Sequence, residues 1–463
     1  MRFPPAALRW LGGGARPSGK REPVHTDAHC AARLDIIRPT SRTTRSRGCS
    51  LNKSLVATCL ATLLVYAVPS GAAEWAATWG VAPLPPSAAF GPFPATPSYH
   101  DQTIRQVVRI SAGGERVRIR FTNEYGTKPL VIGAAHVALA DSKGVPQAGT
   151  DREILFAGRP NALVPAGAPL LSDPVDLPVK ALASLSISLY LPEDTGPCTC
   201  HSTGMQTAYV SASGDFTKQA FQPQAQMQSR AFLSGVEVAS AGRAKTVVAF
   251  GDSITDGLGS TVDANRRWPD LLAARLAARG GAISWGMVNM GISGNRVLDD
   301  NAGQNALARF DRDVLSVPGV AYVIVFEGVN DLGTSFGNFS GPLAASFKSM
   351  TPAHKATAEA IIAGYRQIIA RAHAKGLKVL GATITPYEGS AYYSAEGEAQ
   401  RQAVNRWIRT GGGFDGVLDF DAAWRDPAHP TQIKEGLHAG DHLHGSDAGY
   451  DALAGAIELG LFK

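Results

Sequence analysis

Four short segments of this 463-residue chain carry side chains that together can do acyl transfer. The first is Gly251-Asp252-Ser253, which breaks the apolar run Val247–Phe250. A serine just past the carboxyl end of a parallel strand lies where open α/β sheets bind their ligands. A serine hydroxyl becomes a useful nucleophile only when a base takes its proton. His444 is the candidate base, since imidazole changes charge near neutral pH. Asp441 lies three residues before it, close enough to bind the imidazole Nδ1–H and fix the tautomer. The oxyanion that forms in acyl transfer needs preorganised donors. The N–H groups of Ser253 and Gly294 and the carboxamide of Asn330 supply three.

Taken singly, a serine after a strand, a Gly-x-Asn-Asp or an Asp-x-x-His is more often a cap or a turn. Here Gly251-Asp252-Ser253, Asn289–Asn295, Gly328-Val329-Asn330-Asp331 and Asp441-His442-Leu443-His444 follow in order, which makes a catalytic set the better reading. These blocks resemble the SGNH hydrolases, the GDSL-type esterase and lipase superfamily, over roughly residues 245–463. The resemblance implies a flavodoxin-like parallel sheet with helices on both faces. It places the family serine, glycine, asparagine, histidine and aspartate on Ser253, Gly294, Asn330, His444 and Asp441. Ile254 stands where the family has leucine, and Gly445 where proline is common. Neither change removes a chemical group. The β-rich region upstream and the segment Arg267-Trp268-Pro269-Asp270-Leu271-Leu272 resemble a secreted two-domain subgroup.

Other polar residues near these blocks have simpler roles. Asp252, Asp256 and Asp331 read as loop hydrogen-bonders. His438, His442 and His444 are spaced like a metal cluster, but no carboxylate or thiolate partner is evident and His444 is already committed. Gly257-Leu258-Gly259 lacks the third glycine of a nucleotide fingerprint. The chemistry therefore calls for no metal and no organic cofactor.

The amino-terminal 73 residues stand apart. Leu55–Val68 is an almost wholly apolar run behind Lys53, followed by Pro69-Ser70-Gly71-Ala72-Ala73. That is the pattern of a secretory signal at 51–73, with cleavage before Glu74. The run is shorter than the ~20 residues that span a bilayer. Residues 1–50 are rich in Arg, Pro, Gly and Ser. They read either as an upstream extension, with Leu51 as the true initiator, or as a disordered basic tail. Residues 1–73 hold 11 basic and 3 acidic side chains, so the remainder holds 33 basic and 36 acidic ones and is net negative. No basic patch there calls for nucleic acid, and no long apolar run remains for a membrane. Cys198 and Cys200 are the cysteines outside this segment. A bridge across one residue, two thiols or a metal pair are all open for them.

The remaining length predicts two domains. Residues 74–240 alternate in character, as in Glu115–Phe121 and Leu185–Tyr190, and predict a β-sandwich-like domain. Gly113-Gly114 reads as a hairpin turn. Residues 245–463 predict strands at 246–250, 286–290, 320–326, 377–384 and 416–420. Helices are expected at 268–279, 355–375, 396–409 and 446–458. Residues 332–354 read as a long loop, a lid or substrate wall.

These readings give a secreted or periplasmic serine esterase acting through an acyl-enzyme. Its expected substrate is a small-molecule or polysaccharide ester, with acetyl on carbohydrate implied by the resemblance to two-domain esterases. The alternatives are an arylesterase or lysophospholipase, or a glycan-binding β-module with an accessory hydrolase.

Overall fold

In the computed structural model, residues 74–89, 95–141, 144–240, 242–339, 351–352 and 354–463 are described. The expected signal segment and the extension before it lie outside these residues.

Parallel strands buried on both faces are continuous apolar runs. Such runs form Arg243–Gly251, Ile283–Gly291, Val320–Phe326, Lys378–Ala382 and Gly416–Leu418. All pairings among them are parallel. In chain order the five lie 2-1-3-4-5 across the sheet, the flavodoxin-like order, with helices packed against it. The principal helices are Trp268–Arg279, Ala358–His373, Ala395–Thr410 and Asp447–Ala456. Each follows a sequence signal. Pro269 stands in the first turn of one, and Thr357, Ser394 and Ser446 cap the others with their side-chain oxygens.

The register of the sheet decides where the chemistry goes. Gly251 is aligned with Gly291 on one side and Phe326 on the other. The three chains therefore leave the sheet at one level. Their next residues are Asp252-Ser253, Ile292–Asn295 and Glu327–Asn330.

Among the described residues before 240 there are two large antiparallel sheets and two small two-stranded ones. One large sheet holds Trp75–Gly80, Leu233–Ala239, Gly114–Thr122, Pro169–Leu171 and Val175–Val179. The other centres on Gln102–Arg109 and Ser184–Leu191, flanked by Ala134–Ala140 and Ala208–Ser213. Both contribute to a core that includes Val108, Val117, Ile119, Phe121, Ile187 and Val236. On Gly114–Thr122 the apolar residues face inward. Arg118 and Arg120 face outward and pair with Glu237. Cys198 and Cys200 are joined as a disulfide.

Two expectations need correction. Gly113-Gly114 is not a hairpin turn: Gln102–Arg109 belongs to one sheet and Gly114–Thr122 to the other. Two-residue hairpin turns need positive φ, and neither glycine has it. The glycines instead allow close approach. A Cβ on Gly113 would lie 2.6 Å from the Val179 carbonyl, and one on Gly114 2.4 Å from that of Ala239. The expected loop 332–354 also begins too early. Residues 332–336 belong to the helix Val329–Phe336, where Val329, Leu332 and Phe336 are buried at helical spacing. Residues 340–350 lie outside the described residues.

The two cores belong to one compact unit and share a polar seam. Ser111 Oγ accepts from Met287 N (2.7 Å) and donates to Thr78 O (2.6 Å), and Thr246 Oγ1 donates to Ala77 O (3.0 Å). These buried hydroxyls and carbonyls thereby satisfy one another.

Candidate active site

Ser253 opens the short helix Ser253–Asp256 directly after its strand. Asp252 caps that helix, its carboxylate accepting from Ile254 N at 2.9 Å. The hydroxyl therefore stands at the amino end of a helix, where the backbone N–H groups face outward. His444 reaches it from the loop before helix Asp447–Ala456. Its Nε2 lies 2.9 Å from Ser253 Oγ. Its Nδ1 lies 2.5 Å from Asp441 Oδ2. The other oxygen of Asp441 accepts from the N–H groups of Leu443 (3.0 Å) and His444 (2.9 Å). His442, at φ 56°, turns the chain between them. Partial burial pushes the Asp441 carboxyl up, but His444 and these two N–H donors outweigh it and hold the group well below the usual carboxylate range. An ionised Asp441 requires Nδ1–H as the donor. That leaves Nε2 free to accept the proton of Ser253.

The other two loops leave the sheet at the same level as Ser253. Ser293 N and Oγ both donate to Asp256 Oδ2, at 3.1 and 2.8 Å, and Asn295 N closes a turn onto Ile292 O at 3.0 Å. Gly294 between them has φ 82°, a left-handed conformation that costs other residues about 1–2 kcal/mol. Among the described residues, neither Ser253 N–H nor Gly294 N–H donates to a protein acceptor. Asn330 is buried in the first turn of its helix. Its Nδ2 donates to Asn295 O at 2.9 Å, and its Oδ1 accepts from Tyr392 Oη at 3.0 Å. One Nδ2 hydrogen remains for an incoming oxygen.

The structure thus brings Ser253, His444 and Asp441 into one hydrogen-bonded line. Gly294 and Asn330 stand on the loops beside it. Asp252, Asp256 and Asp331 bind loop N–H groups. Asp331 accepts from Val297 N (2.8 Å) and Leu298 N (3.1 Å), so it ties the second loop to the third. Burial pushes Asp252 and Asp331 each up to about 7, despite these donors. His438 and His442 stack at 4.2 Å, and among the described residues no group of three or more His, Cys, Asp or Glu stands in a metal-binding arrangement.

Sequence reasoning missed three supports. Tyr392 orients Asn330 from 62 residues away, and burial pushes its phenol up to about 12, so it remains an O–H donor. Arg309 is completely buried beneath the loops. It donates to Asn295 Oδ1 (2.8 Å), Met290 O (2.7 Å), Asp313 Oδ2 (3.0 Å), Gly251 O (2.9 Å) and Glu327 Oε1 (3.2 Å). His201, from the β-region, binds Asp256. No local pattern marks any of the three, because each acts through a long-range contact.

Comparison with known proteins agrees with this geometry. Residues 249–452 match the family described as GDSL-like Lipase/Acylhydrolase. This part of the chain is a GDSL-like lipase/acylhydrolase domain, and the protein is an ester-hydrolysing enzyme. All the site residues above except His201 fall within the matched span. The acylhydrolase domain is similar to three solved structures. An acetyl xylan esterase from Geobacillus stearothermophilus is 21% identical over 46% of this chain and 93% of its own, at a TM-score of 0.35. A carbohydrate acetylesterase from Sinorhizobium meliloti is 18% identical over 46% and 95%, at 0.33. An α/β hydrolase from the metagenome of Lake Arreo, Spain, is 25% identical over 46% and 94%, at 0.34. No curated protein matches the chain.

Proposed function

We propose that this acylhydrolase is a secreted serine esterase that works through an acyl-enzyme and removes short acyl groups, acetyl above all, from carbohydrate. The observation that carries the mechanism is the continuous line Asp441–His444–Ser253, with contacts of 2.5 and 2.9 Å. Ser253 Oγ attacks the ester carbonyl while His444 Nε2 takes its proton. The carbonyl oxygen becomes an oxyanion facing Ser253 N–H, Gly294 N–H and the remaining Nδ2–H of Asn330. The imidazolium then protonates the departing alcohol, leaving the acyl group on Ser253. Water, deprotonated by the same imidazole, attacks the acyl-enzyme and releases the acid. Each bond made or broken is accounted for by these residues and water.

Two features support a short acyl group on a hydroxylated alcohol. Polar side chains adjoin two of the proposed oxyanion residues: Tyr392 holds Asn330, and Asn301 Nδ2 donates to Gly294 O at 3.2 Å. The pairing of an antiparallel β-region with the hydrolase also resembles the two-domain esterases noted above. Secretion rests on the apolar run and small-residue site before Glu74. Among the described residues no helix is long and apolar enough to cross a membrane.

The test is a profile of turnover against acyl length on aryl esters, run beside acetate release from acetylated polysaccharides. Highest kcat/KM on acetyl esters together with acetate release supports the proposal. Preference for long acyl chains would overturn the substrate reading. A fluorophosphonate adduct on any residue but Ser253 would overturn the mechanism.

A further inference from the structure

One β-region side chain is buried beside the nucleophile loop. His201 lies in the two-residue strand Cys200–His201, directly after the bridged Cys198–Cys200 pair, and is 2% exposed. Its Nδ1 lies 2.9 Å from Ala82 O and its Nε2 2.9 Å from Asp256 Oδ1. A carbonyl oxygen only accepts, so Nδ1 carries a proton. A neutral imidazole would then turn a bare Nε2 toward a carboxylate oxygen, lone pair against lone pair. The contact is favourable when Nε2 is protonated too. Burial opposes that charge, but the Asp256 carboxylate and the Ala82 carbonyl outweigh it and hold His201 above its ordinary value.

Asp256 passes the restraint on. Its second oxygen accepts both the N–H and the Oγ–H of Ser293. With both donors held by one oxygen, Ser293 has little freedom to rotate. The next peptide unit carries the Gly294 N–H. The β-region holds the same loop at a second point. Tyr125 Oη donates to Gln304 Oε1 at 3.2 Å, and Gln304 O accepts from Asn295 Nδ2 at 2.8 Å.

We propose that His201 is a positioning residue: through Asp256 it fixes Ser293 and so aims the Gly294 N–H at the oxyanion, which makes the β-region part of the catalytic apparatus. This rests on the reading of Gly294 as an oxyanion donor. A simple docking contact between the two regions would stabilise the fold without affecting turnover selectively.

The experiment uses the full chain and two substitutions that split the ring. His201→Asn keeps a donor near the Nδ1 position and loses the one facing Asp256. His201→Gln does the reverse. On an aryl acetate, His201→Asn should lower kcat by roughly 10-fold or more with KM nearly unchanged, a part of the ~10²–10³ lost when a whole oxyanion donor is removed. His201→Gln should recover most of that loss. Ser293→Ala should lower kcat in the same way. The double substitution of Ser293→Ala with His201→Asn should cost less than the product of the two, because both act through Asp256. Amide hydrogen exchange over residues 292–296 gives a readout independent of catalysis: it should quicken in His201→Asn and not in His201→Gln. Equal losses of kcat in the Asn and Gln variants, or unchanged exchange in both, would overturn the proposal. If the wild-type protein hydrolysed no ester, the esterase reading would fall, and exchange would still decide whether His201 holds the loop.

Discussion

Tyr392 Oη donates a hydrogen bond to Asn330 Oδ1 at 3.0 Å and holds the amide whose other end is fixed on the Asn295 carbonyl. The Asn295 carbonyl only accepts, so a flipped amide would set Oδ1 against it and lose that bond, even though the Tyr392 hydroxyl could turn to accept. Asn330 is thus held in place by the protein itself, as the oxyanion role proposed for it requires.

The two residues should separate on substitution. Asn330→Ala removes the donor and should lower kcat by roughly 10²–10³. Tyr392→Phe leaves the donor but loosens its aim. It should lower kcat by about 10-fold, the size of one net hydrogen bond of ~1–1.5 kcal/mol, with little effect on KM. Steady-state kinetics on an aryl acetate measures both. An unchanged kcat in Asn330→Ala would make that residue purely structural.

The three residues of the hydrogen-bonded line should give graded losses. Ser253→Ala and His444→Ala should each cut turnover to a small residual rate, while circular dichroism and the unfolding midpoint stay near wild type. Asp441→Asn should cost about 10⁴ in kcat, since it favours the wrong imidazole tautomer. Adding Asp441→Asn to Ser253→Ala should cost little more, because the residues act as one unit. Independent, multiplying losses would mean that they do not.

How much of this was legible in the sequence follows from the range of the forces involved. The central strands were readable because a parallel strand covered on both faces must be apolar throughout, as Val320–Phe326 is. Helix Trp268–Arg279 was readable to the residue from its Pro at the start and Gly280 after its end. Helix Ala306–Phe310, which continues as a π turn over Asp311–Leu315, escaped notice. One of its fully buried anchors is Arg309, and an arginine in sequence reads as surface. Gly113-Gly114 misled because the same dipeptide serves a tight turn or a close backbone approach, and only the neighbouring strands decide between them. The Ser253, Asn330 and His444 positions were legible because their types and order are set by chemistry. Tyr392 and His201 were not, since nothing local distinguishes a tyrosine or histidine that meets its partner across the fold.

Arg309 gives a stability prediction. It is the common partner of Asp313, Glu327, Asn295 and two strand-end carbonyls, and its guanidinium lies 4.1 Å from the Phe250 ring centroid. Arg309→Met would leave Glu327 and the carbonyls buried without their donor. Breaking a buried pair by removing one partner costs about 3–5 kcal/mol. Chemical denaturation should show a loss of that order, and Arg309→Lys should recover only part of it, since an ammonium cannot reach five acceptors in a planar fork. A loss below ~1 kcal/mol in Arg309→Met would show that the cluster relaxes freely.

The final prediction concerns pH, and the sign follows from the buried groups. Burial raises Asp252 and Asp331 to about 7 and pushes Glu327 well above its ordinary value. Unfolded carboxyls titrate near ~4. Between those limits the folded protein holds protons that the unfolded chain releases, so Asp252 and Asp331 each add stability that is complete below about 4 and is lost as pH rises through about 7, and Glu327 acts with the same sign. His201, also raised, has the same sign and a higher window. Asp415 works the other way: the hydrogen bonds from Lys378, Val379 and His373 overcome partial burial and lower it to about 2. Its contribution is present above about 4 and is lost as pH falls through about 2. Thermal unfolding should therefore show the highest midpoint near pH ~4 and a decline from there to pH ~8. Asp331→Asn, uncharged at every pH, should lower stability overall but flatten the decline. A midpoint that rose steadily from pH ~5 to ~8 would show that these carboxyls are ionised in the folded protein, with Arg309 rather than a proton balancing their charge.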